Sequence, residues 1–142
     1  ITIGGLPILA LATQVVIDVD PWYSPRYLIP LAGMILANAM NSVSIAAERY
    51  QSEITSGHTA QEARLTAMQA AMIPLVNSLM AVGLVSLPGM MTGQVLSGVS
   101  PLIAVRYQIL VMCMLFGASG IATAYFLYWS SRIPQSLKKH SA

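Results

Sequence analysis

Asn38, Asn41 and Glu48 stand out in the largely apolar stretch "LIPLAGMILANAMNSVSIAAE". Steps of three and seven place them on one face of a helix. In hydrocarbon each costs free energy unless it finds a partner, so such a face either ties helices together or lines a watery path. Asn77, Ser78 and Ser86 pose the same choice farther on. The stretch "GLVSLPGMMTGQ" adds Pro88, Gly89, Met90, Met91, Thr92 and Gly93. Methionine sulfur is a soft donor that suits Cu(I) better than iron, so flexible packing at a moving gate is the stronger reading of the pair. Asp18, Asp20 and Glu48 are harder donors that can touch a cation in passing; for the two aspartates a wet loop is the plainer account. His58 and His140 lack Cys or carboxylate partners at metal-ligand spacing. The single Cys113 excludes an internal disulfide and reads as buried apolar filler. No enzyme constellation is present, and no GxxxxGK[ST] loop, so P-loop ATP hydrolysis would belong to another subunit.

The elements that carry these residues follow from composition. Of 142 residues 56% are hydrophobic and only 8% charged, against about 25% charged in an ordinary soluble domain. The bilayer is therefore the expected solvent, and the fold class is all-α: a polytopic transmembrane helical bundle with about four membrane helices. The spans read as 1–17, 28–47, 65–87 and 102–129, in one transmembrane domain over 1–142. Pro74 interrupts the third span and predicts a kink. Ser100 and Pro101 predict the capped start of the fourth. Gly33 with Ala37, and less strongly Gly117 with Gly120, predict close helix contacts. Leu87–Pro88 predicts a helix boundary, with Gly89 and Gly93 in a tight return or a close approach. The chain opens without Met or a signal-peptide pattern, so it reads as starting partway through a longer protein.

Orientation comes from Lys and Arg. Arg49, Arg64, Arg132, Lys138 and Lys139 fall on one side, Arg26 and Arg106 on the other. This bias puts the 48–64 connection and the 130–142 tail in the cytoplasm. Trp22, Tyr23 and Tyr27 then form an outer aromatic belt, and Tyr125, Tyr128 and Trp129 an inner one. The net charge of +2 and the lack of basic runs among aromatics argue against nucleic acid. In the connection, Thr59 and Glu62 have capping-box spacing, so a partly polar helix starts there and runs into the third span. Gly57, His58, Thr59, Gln61 and Glu62 are candidates for docking a soluble partner; a solvated helix start explains them equally well.

The segments "DPWYSPRYLIPLAGMILANAMN", "GLVSLPGMMTGQVLSGVSP" and "AVRYQILVM" resemble the permease family of iron-export ABC transporters of the FetB type, with plant aluminium-sensitivity proteins as relatives. The likeness covers roughly residues 20–112. It implies an inner-membrane permease subunit, paired as a homodimer, and driven by a separate ATP-binding subunit that would hold ATP and magnesium. It also implies export of iron or another metal-related solute. Pro30, Gly33, Asn38 and Asn41, then Gly83, Ser86 and 88–93, then Tyr107 and Gln108, match family motif positions. A membrane scaffold without a pathway, or a passive channel, are the alternatives. Two departures stand out. Family members carry further helices ahead of Ile1, making this the C-terminal part of a larger permease. They also have a longer stretch between the equivalents of "ERYQSEI" and "GHTAQEA", so residues are expected to be missing near Thr55–Gly57.

Overall fold

A computed structural model of the chain describes residues 25–81 and 89–132. The first span, Asp18, Asp20, Trp22, Tyr23, Ser86, Pro88 and His140 lie outside the described residues. Four helices are present among the described residues: α1 (Pro25–Thr55), α2 (Ala60–Ala81), α3 (Gly89–Leu96) and α4 (Pro101–Ser130). No strand occurs among the described residues.

The packing of α1 follows from one seam. Leu31, Ile35, Ala39, Ser42, Ala46 and Tyr50 are buried, at steps of four and three, the repeat that keeps one helix face on a neighbour. The seam of α2 is stricter: Ala63, Ala67, Ala71 and Leu75, all four apart. The three alanines are fully buried. Small side chains on that face of α2 allow α1 and α2 to approach closely over that length. On α4 the buried face includes Ala104, Val111, Met114, Leu115, Ala118, Ala122 and Leu127.

Two apolar clusters hold the bundle. One joins Leu31 and Ile35 of α1 to Val111, Met114, Leu115 and Ala118 of α4. The other joins Ala46 and Tyr50 of α1, Ala63, Ala67 and Ala71 of α2, and Leu127 of α4. Later residues of α1 meet later residues of α4, so these two run parallel, and α2 runs back between them. Beyond Leu75 the packing of α2 ends: residues 76–80 are exposed on every side.

Outside this seam the helices are apolar too. Ile29–Thr55 and Pro101–Ser130 are long and apolar enough to cross a membrane, with mean hydropathies of 1.4 and 1.9. Only 28% and 39% of their most apolar windows are buried. A core helix of a soluble protein hides most of its apolar surface; these turn it outward, toward lipid or further helices. The fold is a helical membrane bundle, as the composition predicts.

Several expectations need correcting. The helix that carries the second span runs on past residue 47 to Thr55, and α2 starts at Ala60, directly after the Thr59 of the expected capping box. Ion pairs and intrahelical bonds support the polar end of α1 where hydropathy alone marks a boundary. Gly89 and Gly93 lie inside α3 rather than in a tight return, and a Cβ on either would meet nothing within 4 Å. The turn comes later, at Gly98, whose φ is +91°. There Gly98 N–H donates to the Val95 carbonyl and Val99 N–H to that of Gln94, both at 3.0 Å, the two bonds of a Schellman stop. Ser100 precedes α4 and Pro101 opens it, but the Ser100 hydroxyl makes no capping bond. Gly33 is exposed, with open space where a Cβ would sit, as at Gly120; the small buried residues where α1 meets α2 are alanines. Cys113 is exposed, not buried, because it lies on the side of α4 away from its neighbours.

Candidate functional site

The polar face of α1 is real but turned away from the bundle. Asn41 and Glu48 are exposed, and Asn38 is half-buried. The Asn38 amide donates to the Met34 carbonyl one turn back, at 2.9 Å, so it is satisfied within its own helix. Asn41 has no hydrogen-bond partner among the described residues. Asn77 lies on the exposed part of α2, just beyond Pro74. Gln108, by contrast, is 7% exposed and faces inward from α4. Met91 and Thr92 on α3 are half-buried, and α3 packs on α4. No group of three or more His, Cys, Asp or Glu side chains gathers among the described residues; Glu48 stands apart from other donors.

The second feature is the α1–α2 tip. Gly57 takes φ +88°, a conformation open to glycine without strain. Gly57 N–H donates to the Ile54 carbonyl and His58 N–H to that of Glu53, each at 3.1 Å, closing α1 in a Schellman motif. Two residues on, the capping box predicted from spacing forms. Thr59 N–H donates to Glu62 Oε2 at 3.0 Å, and Glu62 N–H donates to Thr59 Oγ1 at 3.3 Å. The Thr59 hydroxyl itself donates to the same carboxylate, at 2.8 Å. These bonds from the Thr59 side chain and backbone hold the Glu62 carboxyl below its usual range. Glu53 pairs with Arg49 at 2.6 Å and with His58 Nδ1 at 2.9 Å. Gly57, His58, Thr59, Gln61 and Glu62 are all exposed. The tip is thus a rigid, charged point at the end of a paired-helix arm.

At the C-terminal end of α4, Tyr125 and Trp129 stack with ring centroids 6.3 Å apart. Arg132 lies over the Tyr128 ring, 4.6 Å from its centre, and donates to the Tyr128 hydroxyl. Tyr125, Tyr128 and Trp129 are exposed, the arrangement expected of aromatics at a membrane–water boundary.

Comparison with known proteins agrees with this picture. Residues 1–133 match the uncharacterised protein family UPF0014. The chain belongs to the UPF0014 family. One relative, "UPF0014 membrane protein slr1647" of Synechocystis, is 43% identical over 140 residues, covering 87% of this chain and 54% of its own. Arabidopsis "Protein ALUMINUM SENSITIVE 3" is 35% identical, covering 91% and 55%. The Escherichia coli "Probable iron export permease protein FetB" is 35% identical, covering 78% and 48%. The chain therefore spans about half the length of these UPF0014 relatives. No solved structure matches. The alignments also carry an internal difference. The 140 positions shared with the Synechocystis protein take in 87% of 142 residues, about 124, so about 16 of its residues have no counterpart here. The α1–α2 joint is the place where the sequence pattern reads as shortened.

Sequence reasoning missed Ser42, Ser119 and Thr123. All three are buried. Their signal was available: on α4, Ser119 and Thr123 are four apart, in register with the apolar seam.

Proposed function

We propose that this chain is the membrane-spanning permease part of an ATP-driven exporter for iron or another metal-related solute, powered by a separate ATP-binding subunit. The supporting observation is the family: a helical membrane bundle whose relatives include a protein named as an iron export permease. The Lys and Arg bias orients the α1–α2 tip and the tail toward the cytoplasm of the inner, or plasma, membrane. The exposed, self-capped tip is then where the ATP-binding subunit docks, through Gly57, His58, Thr59, Gln61 and Glu62. The unpaired polar face around Asn41 and Glu48 meets the rest of the permease or a second copy, since lipid cannot satisfy it. Signature residues 88–93, with Asn77 and Gln108, belong to the outer half of the assembly.

The test is reconstitution. The permease should copurify with its ATPase in mild detergent, raise ATP hydrolysis, and move metal from a panel of cations only when nucleotide is present. Flux without nucleotide would point to a passive channel. A scaffold reading draws on the Asn38 amide, which bonds its own helix rather than a pathway. On that reading Asn38→Leu and Asn41→Leu change assembly but leave flux per assembled complex unchanged.

A further inference from the structure

Ser119 and Thr123 are fully buried, and their hydroxyls have no hydrogen-bond partner. Leaving a buried hydroxyl unpaired costs on the order of 1–3 kcal/mol. The usual remedy in a helix is to donate to the carbonyl one turn back. Exposed hydroxyls of this protein do so: Thr55 to Gln51 at 2.8 Å and Ser56 to Ser52 at 3.0 Å. The two deepest hydroxyls do not. Ser42 of α1, 3% exposed, is a third buried hydroxyl residue.

These three belong to one level. The clusters pair Leu31 and Ile35 with 111–118, and Ala46 and Tyr50 with Leu127. Parallel helices with the same rise keep that offset of about 80 residues, which sets Ser42 level with Ser119 to Thr123. In each helix the hydroxyls fall between the two apolar clusters. Along α2, Leu75 is about 23 Å from the helix start, while Ser42 is about 20 Å from the end of α1 at 1.5 Å per residue. Leu75 therefore ends the packing of α2 just above the hydroxyl level. Immediately above it the helix is exposed on every side, and Pro74 has removed one of its backbone bonds.

We propose that Ser42, Ser119 and Thr123 form the closed waist of the solute path, opened by movement of the outer part of α2 about Pro74. This rests on the permease reading above. In the closed state the hydroxyls are sealed by small side chains. In the open state they bond a hydrated, neutral-contact solute: a cation that keeps its water shell, or an uncharged complex of it. Hydroxyls do not supply the charged set that strips a metal of water.

The experiment uses the full-length permease with its ATPase in proteoliposomes, in a Cys113→Ala background. Ser119→Cys and Thr123→Cys are exposed to a small methanethiosulfonate reagent with and without ATP. Both thiols should be protected at rest and react at least about tenfold faster during turnover; Pro74→Ala should remove that acceleration. Ser119→Ala with Thr123→Val should fold and stimulate ATP hydrolysis, yet lower flux per complex by about tenfold, the size of one lost bond in a barrier. Transport retained by that double variant, with 119 and 123 unreactive in turnover, overturns the waist and leaves the permease reading standing. Parent protein that neither binds the ATPase nor transports overturns both.

Discussion

Glu62 accepts from the amide and the hydroxyl of Thr59, and those bonds depress its pKa. A carboxyl lowered in the folded state stabilises the fold above its ordinary titration range, and that share is lost as pH falls toward the depressed value. Thermal unfolding in detergent, followed by circular dichroism, should show this acid-side loss in the parent protein. Glu62→Gln should flatten it; the same pH slope in both proteins would rule the box out as its source. The group is exposed, so the effect is small. Thr59→Ala removes the cap itself, at about 1 kcal/mol. The box was legible in sequence because it needs only residues three apart. The exposure of Cys113 was not, because a residue inside an apolar run has no address until its helix acquires neighbours.

At the scale of the element, α2 is two helices in one. Its first sixteen residues carry the buried seam of Ala63, Ala67, Ala71 and Leu75, and residues 76–80 beyond it are exposed. Ala67→Leu should cost about 1–3 kcal/mol by overpacking, seen as lower yield of monodisperse protein and a lower Tm. Leu65→Ala, at a position 62% exposed, serves as the control and should leave assembly intact. Equal behaviour of the two variants would contradict the close α1–α2 approach. Pro74 was readable as an interruption from sequence, but the end of packing beside it was not. Likewise, Gly33 with Ala37 suggested a close contact, whereas Gly33 is open and the small residues buried against α1 are Ala63, Ala67 and Ala71. Small-residue spacing recurs on several faces, and only docking selects one.

At the scale of the whole molecule, two helices present most of their apolar surface outward, and one face of α1 keeps Asn41 and Glu48 unpaired. The relatives are about twice as long as this chain. The α1 face should therefore become protected when the complete complex assembles: Asn41→Cys should label readily in the isolated chain and slowly in the permease–ATPase complex. Equal labelling in both would place this face outside every contact.

The membrane environment, the helical class, the Thr59–Glu62 cap and the family were decided by the sequence alone. Each depends on composition or on neighbours within one helical turn, so no partner is needed to read it. Tertiary structure decided which of the polar residues are buried. Asn38 and Asn41 look like core candidates by type, yet Ser42, one residue on, enters the seam and Asn41 does not. A helix turns 100° per residue, so a single position separates bundle from solvent or lipid, and only the packing of α2 and α4 sets where that boundary falls.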